Sequence, residues 1–205
     1  GQREGGITIL QAITQRTDRP EMVEFPTPQP TPTVDEKTHR VFMVYSSKPY
    51  KVAAAFTALT HVIFTKVSPQ EFLSCAWKGE NAETKAPHVV ELQELFNKIS
   101  LFVEVEVLFS PVHLAAKAIT FYIKVAKELK KQCDLHNLFA VVGALNGMCI
   151  SRLKQIWGQV DEKLVKAFKK LTRLVAQDSA YKKCKRYFES CPAPKLPPLP
   201  ILQRK

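Results

Sequence analysis

Side chains able to do covalent chemistry are few in this sequence and far apart. Five histidines (His39, His61, His88, His113 and His136) lack the H-x-x-x-H spacing that sets two imidazoles on one helical face for a metal. His61 and His136 fall in helical patterns and read as structural or surface residues rather than as a base or a ligand. Five cysteines (Cys75, Cys133, Cys149, Cys184 and Cys191) are an odd number with no C-x-x-C pair. Neither a disulfide framework nor a Cys-rich zinc site is expected, and a reducing, cytoplasmic setting is. Cys75 and Cys149 have apolar neighbours and read as small buried residues, not nucleophiles. Glu104 and Glu106 are two residues apart, so on a helix they diverge by roughly 200° and cannot work as an acid/base pair. Neither G-x-x-x-x-G-K-[ST] nor G-x-G-x-x-G occurs. No conventional active site can be assembled, no metal or cofactor is expected, and binding of a macromolecule becomes the leading class of function. Among the polar side chains that could serve such binding is Asn146. Its amide carries donors and an acceptor that can pair with the backbone of a partner's loop. The local alternative is a cap for the helix after Gly147.

The elements that must position such a residue are helical. Lys51–Thr65 places Val52, Ala55, Phe56, Leu59, Val62 and Ile63 on one stripe. Ser68-Pro69-Gln70-Glu71 has the residues of a helix start, with the helix expected to reach about Trp77. Gly79–Ala86 reads as a polar loop. Pro87 opens a long pattern whose end, Leu101–Phe109, is rich enough in Val and Phe to suit a strand. Helix is preferred there, because no second strand-like segment exists to pair with it. Ser110-Pro111 starts the next helix, which ends in Lys127, Lys130 and Lys131, favourable at the negative end of its dipole. Leu135–Leu145 is nearly all apolar and predicts a buried central helix. Cys149–Trp157 predicts a short helix, Asp161–Gln177 an amphipathic one, and Asp178-Ser179 starts the last. The prolines from Pro192 to Pro200 then end regular structure. The fold expected is all-α, with residues 1–47 an irregular Pro/Thr-rich leader and residues 48–202 one helical domain.

Charge is unevenly spread. The 205 residues hold 30 Lys and Arg against 19 Asp and Glu, a net +11. All of the excess lies after residue 110: +5 over residues 111–160 and +8 over residues 161–205. A basic half attracts acidic protein, phospholipid or nucleic acid. Lys163, Lys166, Lys169, Lys170 and Arg173 recur at helical spacing opposite Leu164, Val165, Phe168, Leu171, Leu174 and Val175, as on the solvated face of an amphipathic helix. Nucleic acid is not expected as a partner, since aromatics are not interleaved with these charges. No transmembrane segment is expected, because no uncharged apolar stretch approaches ~18–20 residues. Peripheral contact with a membrane surface stays open.

The stretch Leu135–Trp157 carries Leu145, Asn146, Ile150, Arg152, Leu153, Lys154 and Trp157 in the pattern L-N-x-x-x-[IV]-x-R-L-K-x-T-W, with Ile156 in place of the Thr. This resembles the signature of the catalytic domain of Ras-family guanine-nucleotide exchange factors. Other blocks agree in order: Phe64 with Ser68–Leu73 and Cys75-Ala76-Trp77, Phe96-Asn97-Lys98-Ile99-Ser100, Ile123–Ala126, Tyr181-Lys182-Lys183 and Pro192–Pro200. The resemblance spans about residues 48–202.

The resemblance implies a protein that binds a Ras-family small GTPase, holds its switch II, and ejects the nucleotide without covalent chemistry. It assigns Asn146 to switch II and puts Ser151 beside it, at a position commonly aromatic or bulky in the family. Arg152, in a hydrogen-bond network, Leu153, and Trp157, in the core, become structural members of the motif. Relatives carry a helical hairpin after the Pro-rich segment that wedges switch I open. The sequence reads as stopping short of it, so weak exchange by this chain is the expectation. A non-catalytic adaptor that keeps the fold for protein docking is the alternative. A further reading makes Pro194–Pro197 or Pro197–Pro200 a ligand for polyproline-binding domains, against an ordinary buried segment.

Overall fold

The computed structural model describes residues 44–202. The expectation of an irregular Pro/Thr-rich leader over residues 1–47 lies outside the described residues, apart from its last four positions. There, Val44–Ser46 form a 3-10 turn whose Val44 and Tyr45 are buried in the core, and Val44 N donates to Glu106 Oε2 at 3.0 Å.

The architecture is all-α: among the described residues there is no strand, only one isolated bridge between Asp134 and Leu196. Helix α1 (Pro49–Phe64) has Pro at its first position and buries Val52 and Phe56, the latter edge-on to Phe102 at 6.4 Å. Val62, expected on the same stripe, is 57% exposed. The expected helix after Ser68 is a 3-10 segment, Pro69–Cys75, ending in Cys75 at φ 55°. Its Glu71 does close the first half of a capping box, accepting from Ser68 N at 3.0 Å. The same carboxylate then accepts from His88 N at 2.8 Å and Val89 N at 3.0 Å, and His88 Nδ1 lies 2.9 Å away. Burial pushes the Glu71 carboxyl up, but the bonds from Ser68, His88 and Val89 outweigh it and hold it below the usual range. Glu71 therefore serves the start of a different helix, and its own segment stays short.

Inside the expected polar loop is a single turn, α2 (Ala82–Lys85). Helix α3 (Pro87–Leu108) remains helical through its Val/Phe-rich end, because Phe102, Val103, Glu106 and Val107 bury at helical spacing. Helix α4 (Val112–Lys131) follows Ser110-Pro111 as the sequence predicts.

Helix α5 (Leu135–Asn146) is the axis of the molecule, with ten of its twelve residues buried. It packs on α3, α4 and α1. A buried helix start must find partners for its free amide groups, and Asp134 supplies them. Asp134 Oδ1 accepts from Asn137 N at 2.9 Å, while Oδ2 accepts from Asn137 Nδ2 and from Thr57 Oγ1 of α1, both at 2.7 Å. Asn137 Nδ2 also reaches Thr60 Oγ1 at 2.9 Å. The Pro-rich tail closes the same corner, with Leu196 N bonded to Cys133 O and Leu135 N to Leu196 O, each at 3.1 Å. Leu196, Pro198 and Leu199 are buried there, so this part of the tail is covered by the domain itself.

Beyond α5 lie two single turns, α6 (Met148–Ser151) and α7 (Lys154–Trp157), where one short helix was expected. Helix α8 (Glu162–Val175) is capped by Asp161, which accepts from Lys163 N and Leu164 N, and it packs on α5 and α4. A 3-10 turn, Asp178–Tyr181, carries Ser179, Ala180 and Tyr181 in left-handed conformation before α9 (Lys182–Ser190). A last turn, α10 (Leu199–Leu202), follows the prolines.

His136 is 2% exposed, edge-on to Phe96 at 5.5 Å, and burial lowers its pKa to about 4. Unfolding returns it to about 6.5, so the unfolded chain binds more protons between those values. Its contribution to stability is therefore complete above pH ~6.5 and is lost, by up to about 3 kcal/mol, as the pH falls towards 4. Urea unfolding over that range should show a shallower pH slope in His136→Leu than in the wild type. An unchanged slope would remove His136 from the acid sensitivity.

Candidate functional site

Asn146 is the last residue of α5 and is exposed. Phe139, Gly143 and Asn146 share one helical face. Phe139 lies at the base, 8% exposed, with its ring 5.7 Å from that of Tyr181. Gly143 is exposed, and nothing stands within 4 Å of where its Cβ would be. The face thus carries a notch with an aromatic floor and an amide at its rim. Asn146 does not cap the following turn. Its Nδ2 donates across to Thr172 Oγ1 of α8 at 3.2 Å.

The chain then turns sharply at Gly147, and here glycine is needed. A Cβ would sit 2.9 Å from Ala144 O and 3.1 Å from Glu104 Oε1. Glu104 belongs to α3, and one turn to either side of it Leu101 and Leu108 are 41% and 42% exposed. Met148, next to Gly147, is 62% exposed. The Asn146–Met148 corner therefore runs from α8 across to α3. It offers an amide, a hydroxyl, a carboxylate and three apolar side chains. Such a set can hold a protein loop by backbone hydrogen bonds and apolar contact, and it assembles no nucleophile with a base.

Other motif residues fall as follows. Ser151 is exposed, one turn of chain beyond the corner. Arg152, expected in a hydrogen-bond network, is exposed, and its guanidinium bonds to nothing among the described residues. Leu153 is half-buried where α6 gives way to α7. Trp157, expected in the core, is half-buried: its ring stacks on Phe168 at 5.3 Å, and Nε1 donates to Ile150 O at 3.0 Å. Cys149 is exposed and Cys75 half-buried, against the expectation of burial for both. Sequence reasoning missed Thr172, Gly143 and the α3 leucines. A glycine in an otherwise apolar helix, three residues before Asn146, was the available signal for the notch. Nothing in the amphipathic pattern of α8 marked Thr172.

Known proteins resemble this chain in one consistent way. The family model described as RasGEF domain matches residues 51–205. The mouse protein Ras-specific guanine nucleotide-releasing factor RalGPS1 is 31% identical over 151 residues, 73% of this chain and 26% of that protein. Human Ras-specific guanine nucleotide-releasing factor RalGPS2 shows the same identity and the same coverage. Ras guanine nucleotide exchange factor P of Dictyostelium discoideum is 24% identical over 159 residues, 77% of this chain and 10% of that protein. The chain spans about a quarter of the length of the first two relatives.

Trp157→Ala would remove a half-buried ring, its stack on Phe168 and its bond to Ile150 O. The expected loss is about 2–3 kcal/mol in urea unfolding, below the cost of a fully buried tryptophan. A loss under about 0.5 kcal/mol would show that the α6–α7 turns hold without it.

Proposed function

The chain belongs to the RasGEF domain family, and from that premise we propose that it promotes nucleotide release from a Ras-family small GTPase. The names of its relatives, each a releasing or exchange factor, support a regulator of this kind rather than an enzyme with covalent chemistry. In this reading the Asn146–Met148 corner receives switch II of the GTPase. The observation that carries it is the exposed Asn146 amide at the end of a deeply anchored helix, beside the open notch over Gly143. Ser151 is close enough in the chain to border the bound loop. Release follows if these contacts are better in the nucleotide-free GTPase than in the loaded one, since a partner shifts an equilibrium only by its differential affinity. The setting proposed is the cytoplasm, with peripheral contact to a membrane surface.

A second reading, an adaptor that docks a protein on the same fold without exchange, draws on Ser151. It is small and exposed where the family resemblance leads one to expect a bulky side chain.

Fluorescent-nucleotide release from Ras-, Rap- and Ral-type GTPases, at saturating protein, decides between the two. Exchange predicts acceleration on at least one of them, and Asn146→Ala should cut it about tenfold or more, near 1.4 kcal/mol of lost differential contact. The substitution should barely alter stability, because the Asn146–Thr172 bond is exposed. Complex formation without any acceleration would favour the adaptor. Acceleration unaffected by Asn146→Ala would move the interface away from the corner.

A further inference from the structure

We propose that the outer faces of α8 and α9 form a docking surface for anionic phospholipid bilayers. On α8, Lys163, Lys166, Lys170 and Arg173 recur every three or four residues with Lys169 beside them, and all five are exposed. The opposite side of the helix buries Phe168 and Leu171. Helix α9 contacts α8 and exposes Lys182, Lys183, Lys185 and Arg186 while burying Cys184. Two of these nine cations are engaged. Lys166 Nζ lies 2.7 Å from Glu162 Oε1, and Lys183 Nζ lies 3.0 Å from Asp178 Oδ2. The other seven pair with no carboxylate among the described residues. Asp161 is occupied as the cap of α8, and Glu189 is the remaining exposed acid on α9.

The chemistry of the face selects among acidic partners. Nucleic-acid surfaces set aromatic rings among the cations for bases to stack on. Here the rings turn inward: Phe168 lies on Trp157, Tyr187 Oη donates to Lys130 O at 2.9 Å, and Phe188 lies under Lys195 Nζ at 4.6 Å. A specific protein interface needs an apolar centre. The exposed large apolar residues of the described chain, Tyr50, Val62, Leu101, Leu108, Phe109, Val112 and Met148, all lie on other elements. What remains is diffuse, mostly lysine charge, which a headgroup surface of anionic lipid satisfies without matched geometry. Thr172, the partner of Asn146, belongs to α8, with Lys169 and Arg173 near it in sequence. A bilayer on this face would therefore adjoin the corner site, although lipid binding itself requires no GTPase and is independent of the exchange reading.

The test is co-sedimentation of the full chain with vesicles of phosphatidylcholine alone and with about 30% phosphatidylserine, at salt of about 0.1 M and again several-fold higher. The wild type should sediment with the anionic vesicles at low salt, stay free of the neutral ones, and be released at high salt. Each cation near such a surface contributes about fivefold. The combined variant Lys163→Gln, Lys170→Gln, Arg173→Gln and Lys185→Gln should therefore partition on the order of 100-fold less or worse. All four positions are exposed, and an unchanged thermal melt confirms the fold. A control, Lys51→Gln, Lys66→Gln, Lys78→Gln and Lys85→Gln, removes the same charge from exposed sites elsewhere and should lose far less. Failure of the wild type to bind anionic vesicles overturns the proposal, as does retained binding by the first variant. Equal loss in the control would reduce the effect to net charge and overturn the assignment to α8 and α9. Preference for a duplex DNA over the vesicles at the same salt would give the face to nucleic acid instead.

Discussion

The carboxylate of Asp134 is the point on which the rest of this structure is hung. An apolar helix as deep as α5 is stable only if the amide groups of its first turn find acceptors out of reach of water. Asp134 meets that demand and in the same act fixes α1 through Thr57. Burial pushes its carboxyl up from the ordinary range, while the Thr57 hydroxyl and the Asn137 amides act to keep it ionised. Each of those donors would be costly to remove, since a buried group left unpartnered loses about 1–3 kcal/mol. The Pro-rich tail is drawn to the same place by main-chain bonds on both sides of the Asp134–Leu196 bridge. Three distant parts of the sequence therefore share one anchor.

The opposite end of α5 follows from that anchor. Twelve helical residues span about 18 Å, so fixing the start of α5 fixes where Asn146 emerges. Glu71 does the same for α3, holding its first amides and so setting the axial position of Glu104. The two helices meet at Gly147, where backbone and the Glu104 carboxylate leave no room for a Cβ. On the far side, three successive left-handed residues turn Tyr181 onto Phe139. Such backbone costs roughly 1–2 kcal/mol per non-glycine residue. Burial of the Tyr181 ring and of Cys184 offsets it, and the floor of the notch is the result.

How much of this could be read from the residues alone depended on whether the cause was periodic. The long helices were legible because apolar spacing repeats over many turns, and α3 was legible even where its Val/Phe content argued for a strand. Asn146 was legible as part of a signature and as an amide able to pair with a partner's backbone, with a helix cap as its local alternative. Short-range competition was not. The segment after Ser68 has every residue of a helix start, yet its Glu is claimed by the first turn of α3, at His88, seventeen residues later. Cys149 has apolar neighbours that suggested burial, and the resemblance placed Arg152 in a hydrogen-bond network, yet both are exposed on the short turn α6 and its end. Thr172 could not be found, because its contact with Asn146 is tertiary and leaves no mark on the amphipathic pattern.

Burial separates the bonds that build the site from the bond that could be given up at it. The Asp134 cluster is enclosed, so its partners cannot be exchanged without leaving a buried polar group unpartnered. The Asn146–Thr172 bond lies at 3.2 Å in solvent, where water already competes for both groups, and its net worth is about 0.5–1 kcal/mol. On the function proposed above, a partner's loop can take the Asn146 amide from Thr172 at little cost while α5 itself does not move. A rigid helix ending in a weakly committed amide loses little ordering entropy on binding, and that favours contacts which discriminate between two shapes of the same loop. A protein that acts by differential contact needs a well-anchored surface, and the buried carboxylates at the far ends of α3 and α5 supply the anchoring.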